Sequence, residues 1–277
     1  MIRLVFLDVD GTLVGKEGVP PCVWPEVEAL RARGVRFALV TGRPGRGEAL
    51  SLARRLAPAG LHVYESGAVV LALAQDPHEP PARPFHVEAL PEGPAREAVR
   101  LARRLSLPLE GYTADGGFFV EGDSPLLLAH QALLGLEAEG ADLLRLPSPL
   151  VRLQVLAGAQ APLEAFLQGL PPGLQAHVAE SPKMPGVRFA SLTKEGVGKL
   201  TAARLVAEAY GLSLAECAMV GDGENDLELI RAVGMGIAMG NAPPSVKRAA
   251  RKVVAPVEAC GLAEALAALR KEHPLLP

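Results

Sequence analysis

The sequence predicts an α/β protein with two domains, in which a doubly wound, Rossmann-like parallel sheet is interrupted by an inserted α+β domain. Three observations carry this prediction. The first third of the chain alternates apolar strand patterns with amphipathic helix patterns, the last third does the same, and the segment between them does not. Strands that alternate with helices indicate a parallel sheet with helices on both faces. The length of 277 residues suffices for two domains of ordinary size.

The predicted core is formed by residues 1–83 and 193–277. Its strands are continuous apolar runs, which are typical of strands buried on both faces. In chain order the first part contains RLVFLDVD (strand), WPEVEALRARG (helix), VRFALVTG (strand), GEALSLARRLAP (helix) and LHVYESG (strand). The second part contains KLTAARLVAEAYG (helix), CAMVGD (strand), NDLELIRAVG (helix), GIAMG (strand), PPSVKRAARK (helix), KVVAP (strand) and a final helix. Together these segments predict one sheet.

The inserted domain is assigned to residues 84–192. It follows a proline-rich link, QDPHEPPARP, which we interpret as a hinge between the domains. The insert is predicted to begin with the strand FHVEAL, and its segments VRLQV and VRFAS alternate apolar and polar residues, as half-exposed antiparallel strands do. Its cationic side chains are interpreted as solvated surface: Arg145, Arg152, Lys183 and Arg188.

Composition excludes several functional classes. A net charge of -3 gives no electrostatic reason to expect nucleic acid. The apolar runs are far shorter than the roughly 20 residues of a membrane span, so we expect a cytoplasmic protein that binds neither membrane nor nucleic acid. Cys22, Cys217 and Cys260 are widely spaced and lack a CxxC pair, which predicts neither a disulfide nor a zinc site. No pattern assigns an oligomeric state.

Two aspartates at the end of the first strand are the first candidates for function. Asp8 and Asp10 lie two residues apart, so their side chains begin on the same side of an extended strand, about 6.5–7 Å apart. Gly11 allows the chain to turn away at once, which leaves both carboxylates at the rim of the sheet. In a parallel sheet, ligands bind outside the carboxyl ends of the strands. We therefore expect both carboxylates to serve one ligand.

Polar residues at the other strand ends extend this group. Thr41, Gly42 and Arg43 follow the second strand, Lys199 begins a helix, and GDGEND supplies Asp222, Asn225 and Asp226. Two like charges 4 Å apart repel by about 4 kcal/mol at an effective dielectric constant near 20, so one lysine cannot neutralise this cluster and a phosphate. A hard divalent cation can. Oxygen ligands without histidine or cysteine favour Mg²⁺ over zinc.

These residues carry a resemblance to a known family. DVDGTL, VTGRP, GVGK and GDGENDLELI resemble the four ordered motifs of the haloacid dehalogenase (HAD) superfamily, in particular its Cof-type phosphatases with a type IIB cap. ESGAV resembles the ENGA turn of that family, and GIAMGNAPPSVKRAA resembles its late motif. The resemblance spans essentially the whole chain. It implies that the insert is the type IIB cap domain.

The resemblance also implies roles for individual residues. Asp8 is expected to be the nucleophile that forms an aspartyl-phosphate, and Asp10 the general acid and base. Mg²⁺ is expected to be held by the carboxylates of Asp8 and Asp222 and the backbone carbonyl of Asp10, supported by Asp226. The residues expected to bind phosphate or substrate are Thr41, Gly42, Arg43, Lys199 and Asn225.

The implied function is hydrolysis of a small soluble phosphomonoester, with a sugar phosphate as the default substrate. A carboxyl at Asp10 favours release of free phosphate, because superfamily ATPases that store the aspartyl-phosphate have threonine there. A sugar phosphomutase and a non-catalytic metabolite-binding protein remain the alternatives. Two positions depart from the family pattern: Ser66 replaces a usual asparagine, and Leu200 replaces a common glycine.

Overall fold

The computed structural model describes residues 1–74, 82–181 and 184–271. The strands within these ranges are β1 (Leu4–Leu7), β2 (Arg36–Leu39), β3 (Leu61–Tyr64), β4 (Val69–Leu73), β5 (Ala82–Val87), β6 (Leu109–Thr113), β7 (Phe118–Glu121), β8 (Glu139–Gly140), β9 (Leu150–Ala157), β10 (Leu174–Ser181), β11 (Met184–Lys194), β12 (Cys217–Gly221), β13 (Met235–Ala238) and β14 (Lys252–Val253). The α-helices within them are α1 (Val23–Arg31), α2 (Gly47–Leu56), α3 (Glu92–Arg104), α4 (Pro125–Leu134), α5 (Gln160–Gln168), α6 (Lys199–Ala209), α7 (Leu227–Ala232), α8 (Pro244–Ala249) and α9 (Gly261–Lys271).

A five-stranded parallel sheet forms the centre of the core, in the order β14-β13-β12-β1-β2. β1 lies between β12 and β2, where Leu7 is paired with Val220 on one side and with Leu39 on the other. All four residues of β1 are buried, as expected for a central strand with both faces covered. This register brings the carboxyl ends of β1, β2 and β12 to one edge of the sheet.

Helices cover both faces of this sheet. Val5 and Leu7 of β1 enter a hydrophobic cluster with the apolar faces of α1, α2 and α9. Leu4 and Phe6 enter a second cluster with α6, α7 and α8. Because successive side chains of a strand point to opposite faces, the two clusters lie on opposite sides of the sheet. The predicted doubly wound α/β core is confirmed, but the expectation that the strand in LHVYESG belongs to the same sheet is wrong, because β3 pairs with β4 in a separate antiparallel sheet.

Strands β3, β4 and β5 form a small antiparallel sheet next to β2. A parallel bridge between Val40 and Val63 joins β3 to the end of β2. The segment FHVEAL overlaps β5, which pairs with β4 and not with the sheet of the insert, so its expected place as the first strand of the insert is wrong. The apolar run that forms β4 needs a partner for its second edge, and β5 supplies it. Most of the proline-rich link lies outside the described residues.

The insert contains a six-stranded sheet in the order β10-β11-β9-β6-β7-β8, antiparallel except for the β7–β8 pair. Helices α3 and α5 pack on one face of this sheet, around Phe166 and Val99. Helix α4 packs on the other face through Leu127, which contacts Leu156 and Phe189. This arrangement confirms the predicted α+β insert, while its boundaries at 84 and 192 stay predictions.

A disulfide joins Cys22 and Cys260, with their Cα atoms 6.4 Å apart. The expectation that the cysteines form no disulfide is therefore wrong for this pair. The two residues are 238 positions apart, so their spacing carries no signal. They meet because α1 and α9 pack side by side on one face of the core. Cys217 is buried with a free thiol.

None of the helices in the described ranges combines the length and the apolar character that a membrane crossing requires.

Candidate active site

The polar residues predicted at the strand ends converge at the carboxyl edge of the parallel sheet. Asp8 directly follows β1, and its amide donates to the carbonyl of Val220 in β12 at 3.1 Å. Asp222 directly follows β12, and Thr41 lies two residues beyond β2. Since these three strands are neighbours in one parallel sheet, the residues that follow them meet above the same edge.

Three carboxylates and one ammonium form the centre of this edge. One carboxylate oxygen from each of Asp8, Asp222 and Asp226 lies within 4.8 Å of the other two. Lys199 Nζ donates to Asp8 Oδ1 at 2.7 Å and to Asp226 Oδ1 at 2.6 Å. Lys199, Asp8 and Asp226 are buried, and Asp222 is partly buried. One positive charge therefore faces three acidic groups where little water reaches them.

Lys199 reaches the cluster because it is the first residue of α6. The amide of the preceding Gly198 donates to Thr201 Oγ1 at 2.9 Å, which closes the start of the helix. Gly67 packs directly against this point: it has φ +105°, and a Cβ there would overlap the Gly198 carbonyl. Glycine at position 67 is thus required both by the backbone conformation and by the close approach.

Burial among like charges raises the pKa of two aspartates. Burial, and then repulsion from Asp226, holds the pKa of Asp8 well above its ordinary value, although Lys199 opposes this. The same two causes raise the pKa of Asp222 to about 7. Burial acts to lower the pKa of Lys199, but the attraction of Asp226 and Asp8 outweighs it and the net shift is upward. The Lys199 ammonium therefore stays charged, and the three carboxylates can accommodate a further positive charge.

This donor set fits a hard divalent cation. Carboxylate oxygens are the ligands that Mg²⁺ prefers, and the group that the structure describes contains neither histidine nor cysteine. A cation beside Asp8 and Asp222 would remove the repulsion that raises the pKa of both groups. Asp226 has additional contacts, because its Oδ1 accepts from Lys199 and its Oδ2 accepts from the Gly223 amide at 3.0 Å.

The side chain of Asp10 does not join the three-carboxylate cluster. It forms a two-pronged salt bridge with Arg43, with Nε–Oδ2 at 2.8 Å and Nη2–Oδ1 at 2.6 Å. Arg43 Nη1 also donates to Glu48 Oε2 at 2.6 Å. The Asp10 side chain is 56% exposed, whereas that of Arg43 is 6% exposed. Arg43 is thus engaged by two carboxylates and orients Asp10 at the mouth of the site.

The loop after β2 is held in shape by the turn at residues 65–67. Thr41 Oγ1 accepts from the Arg43 amide at 3.1 Å, and the Thr41 carbonyl accepts from the Ser66 amide at 3.1 Å. A Cβ at Gly42 would lie 3.3 Å from Ser66 Oγ. Ser66 adopts φ +57°, a left-handed conformation in which asparagine is several-fold enriched. Serine keeps the turn at this position although it lacks that preference.

Asn225 and Leu200 are the chain neighbours of Asp226 and Lys199. Asn225 is half-buried on the short 3₁₀ turn Glu224–Asp226, next to the aspartate that holds Lys199. Leu200 packs against the hydrophobic cluster of α6 and α7, which gives the leucine a role in helix packing.

Asn241 and Thr12 contact this site and were not assigned a role from the sequence. Asn241 Nδ2 donates to the Gly11 carbonyl and to Asp222 Oδ2, both at 2.9 Å, and its Oδ1 accepts from the Val257 amide at 3.0 Å. Thr12 Oγ1 donates to Asp222 Oδ1 at 3.1 Å. Both oxygens of Asp222 are therefore oriented by neighbours. The sequence feature that sets Asn241 apart is that the chain has only two asparagines.

Comparison with known sequences finds a family match in the last part of the chain and related proteins over most of its length. Residues 174–266 match the family model described as haloacid dehalogenase-like hydrolase. The chain is 27% identical over 251 residues to the HMP-PP phosphatase of Cronobacter sakazakii, a match that covers 89% of this chain and 87% of that protein. A shorter match, 43% identical over 70 residues, relates it to the phosphoglycolate phosphatase of Archaeoglobus fulgidus and covers 25% of this chain and 31% of that protein.

Solved structures resemble the whole fold. A haloacid dehalogenase-like hydrolase from Bacteroides thetaiotaomicron superposes with a TM-score of 0.80 at 24% identity, over 97% of this chain and 100% of that one. A sugar phosphatase of HAD subclass IIB superposes with a TM-score of 0.81 at 20% identity, over 96% of this chain and 98% of that one. The likeness therefore includes the insert as well as the core.

Proposed function

We propose that the protein is a Mg²⁺-dependent phosphatase that hydrolyses a small phosphomonoester through an aspartyl-phosphate intermediate, because residues 174–266 match the haloacid dehalogenase-like hydrolase model and the named relatives are phosphatases. The observation that carries the proposal is the meeting of Asp8, Asp222 and Asp226 with Lys199 at one edge of the parallel sheet. Such a site combines a nucleophile with the charges that a phosphoryl group requires.

In this proposal Asp8 is the nucleophile. Its carboxylate attacks phosphorus, the bond between phosphorus and the ester oxygen breaks, and the phosphoryl group remains on Asp8 as an acyl phosphate. Lys199 lies 2.7 Å from Asp8 and stays protonated, so it can stabilise both the ionised carboxylate and the phosphoryl oxygens. Asp226 keeps the ammonium in this position.

Asp10 is the general acid and base. It gives its proton to the leaving alcohol oxygen and later takes a proton from the water that attacks the acyl phosphate, which releases phosphate and restores Asp8. The salt bridge with Arg43 holds Asp10 as an ionised carboxylate, which is the form that the base step requires, whereas the acid step requires that Asp10 first releases Arg43 and takes up a proton.

The remaining phosphoryl contacts come from the loops after β2 and β12. Thr41, the backbone of Gly42, and Asn225 hold the phosphoryl oxygens together with Lys199. Mg²⁺ would be held by the carboxylates of Asp8 and Asp222 and the backbone carbonyl of Asp10, with Asp226 in support. When bound, the cation supplies positive charge that offsets the phosphoryl oxygens.

A sugar phosphate is the proposed substrate class. Arg152 of β9 contacts the core through Glu65, so the face of the insert sheet that carries Arg152 is turned towards the core. Gln154, Ser191 and His177 follow one another across paired strands on that same face. Gln154 and Ser191 are engaged by Arg152 and by each other, so the half-buried imidazole of His177 is the group of this row that suits a hydroxylated leaving group. A similar fold also occurs in a sugar phosphatase.

The proposal is tested by phosphate release from a panel of sugar phosphates, nucleotides and cofactor phosphates, with and without Mg²⁺. We expect Mg²⁺-dependent phosphate release, and at least a 1,000-fold loss, on the order seen when a catalytic nucleophile is removed, in Asp8→Asn. Asp123→Asn, an exposed aspartate of the insert, is the matched control and should retain full activity. Unaltered turnover in Asp8→Asn would refute the nucleophile, and isomerised sugar phosphate without free phosphate would indicate a mutase.

We further propose that the enzyme acts in the cytoplasm on a freely diffusing substrate and binds neither nucleic acid nor membrane. The small net charge of -3 supports the exclusion of nucleic acid.

A further inference from the structure

A row of stacked side chains crosses the core-facing side of the insert sheet. Tyr112 of β6 is paired with Arg152 of β9 on one side and with Phe118 of β7 on the other. The Arg152 guanidinium carbon lies 3.8 Å from the centre of the Tyr112 ring. The rings of Tyr112 and Phe118 are stacked, with centroids 4.8 Å apart and planes within 7°. Strand pairing therefore places one cation and two aromatic rings in a single row.

Core residues contact both ends of this row. Glu65 Oε2 accepts from Arg152 Nε at 2.7 Å, and both side chains are buried. At the other end, the guanidinium carbon of Arg46, which precedes α2, lies 5.5 Å from the Phe118 centroid. Arg46 Nε and Nη2 are buried and have no hydrogen-bond partner among the described residues, so the contact of Arg46 with the insert is through the ring. Arg152 is thus not the solvated surface residue expected from the sequence.

Arg152 cannot shift independently of the insert. Its Nη1 donates to Gln154 Oε1 at 2.6 Å and to Ser191 Oγ at 3.3 Å. Gln154 Nε2 in turn donates to Glu110 Oε2 at 2.7 Å, and the other carboxylate oxygen of Glu110 lies 2.7 Å from His130 Nδ1 in α4. The guanidinium is therefore fixed by strands β6, β9 and β11 together.

Glu65 is fixed just as firmly to the core. It adopts φ +52° and the next residue, Ser66, φ +57°, a left-handed pair that costs energy in non-glycine residues. The Glu65 amide donates to the Arg43 carbonyl and the Ser66 amide to the Thr41 carbonyl, both at 3.1 Å. The carboxylate that holds the insert thus belongs to the turn that shapes the loop proposed to bind phosphate.

We propose that Glu65 and Arg152 are positioning residues: together with Tyr112, Phe118 and Arg46 they form a clamp that fixes the insert over the phosphate-binding loop and so sets where the leaving group is held. This inference rests on the proposed function. The clamp acts on the part of the substrate that the insert contacts and not on the phosphoryl group itself, since neither residue belongs to the carboxylate cluster.

The first test measures the clamp without catalysis. Hydrogen–deuterium exchange is compared for the unmodified protein, Glu65→Gln and the double variant Glu65→Gln/Arg152→Gln, which removes both charges of this buried ion pair together. We expect at least a 10-fold faster exchange of the amides at the contact of core and insert, including Glu88, which donates to the Ala68 carbonyl of the core. Amides of β1 should be unchanged.

The second test measures positioning. For each variant, kcat/KM is determined with the best sugar phosphate from the panel and with acetyl phosphate, whose leaving group is small. General damage lowers both values equally, whereas loss of the clamp should lower the ratio of sugar phosphate to acetyl phosphate at least 10-fold. Arg152→Gln is added as the second single variant, and the double variant should lose no more than the worse of the two single variants, because the two residues act as one unit. Arg103→Gln, which removes an arginine paired with Glu121 and Asp142 within the insert, is the control. It should change neither the amide exchange rates nor the substrate ratio.

Unchanged exchange in the double variant overturns the clamp. Faster exchange with an unchanged substrate ratio overturns the positioning role. Absence of phosphate release by the unmodified protein counts against the proposed function alone, because the exchange experiment still decides whether the clamp exists.

Discussion

Replacing Asn241 with alanine should weaken Mg²⁺ binding without removing any group that reacts. Asn241 Nδ2 donates to Asp222 Oδ2 and to the Gly11 carbonyl, and its Oδ1 accepts from the Val257 amide. The alanine variant leaves Asp222 with a single side-chain donor, Thr12. A cation would then be held by a carboxylate that is less well oriented.

The size of this effect follows from the hydrogen bonds that are lost. A hydrogen bond to a charged group contributes about 1.5–3 kcal/mol, and each 1.4 kcal/mol corresponds to a factor of ten. Loss of the contact between Asn241 and Asp222 should therefore weaken Mg²⁺ affinity about 10–100-fold, which agrees with the usual cost of removing a residue that orients a metal ligand.

The assay is phosphate release as a function of Mg²⁺ concentration. We expect the half-activating Mg²⁺ concentration of Asn241→Ala to rise about 10–100-fold, while the rate at saturating Mg²⁺ falls much less. Ser245→Ala is the matched control, because Ser245 Oγ donates to Glu224 at 2.8 Å on the same side of the core without touching Asp222. An unchanged activation curve for Asn241→Ala would show that Asn241 does not orient Asp222.

Two further predictions concern stability. His62 is buried between the Leu39 amide, which donates to Nδ1 at 3.0 Å, and the Ala57 carbonyl, 3.0 Å from Nε2, and burial lowers its pKa from 6.5 to about 4. Because the pKa is lowered, the neutral His62 contributes its full stability above pH 6.5, and this contribution is lost as the pH falls towards 4. We expect a loss of about 3 kcal/mol in the free energy of unfolding measured with urea. A His62→Gln variant whose stability falls just as steeply between these pH values would contradict the assignment. Reduction of the Cys22–Cys260 disulfide should lower the free energy of unfolding by about 2–4 kcal/mol, because the bond closes a loop that contains most of the chain. Dithiothreitol should therefore lower the melting temperature of the unmodified protein but not that of Cys22→Ser. An equal response of both proteins would argue against the bond.

Much of the site could be predicted because it depends on local patterns. Asp8, Asp222 and Thr41 each follow an apolar strand, and parallel pairing necessarily brings such positions to one edge. The position of Lys199 at the start of a helix also follows from local sequence. The structure adds how these residues are used, including the turn of Asp10 away from the cluster towards a neighbouring arginine.

The features that sequence patterns could not reveal all depend on contacts between distant segments. The Cys22–Cys260 pair is joined by helix packing and not by spacing. Asn241 supports the site from a loop after β13, far along the chain from the first strand whose end it contacts. The sequence predicts that Arg152 is one of several surface cations. Its alternating strand pattern shows which residues share a face of the sheet, but not which part of the protein covers that face.

The central place of β1 determines the order in which this chain can fold. β1 is made on the ribosome before the insert, but one of its two neighbours, β12, is made only after the whole insert. Until then a fully apolar strand of the nascent chain has an unpaired edge, which is a hazard for association with other chains. The strands of the insert sheet are consecutive from β6 to β11, so that sheet can be completed before the five-stranded parallel sheet. Asp8, the proposed nucleophile, is thus synthesised before the insert but reaches its native surroundings only after β12 has followed the insert.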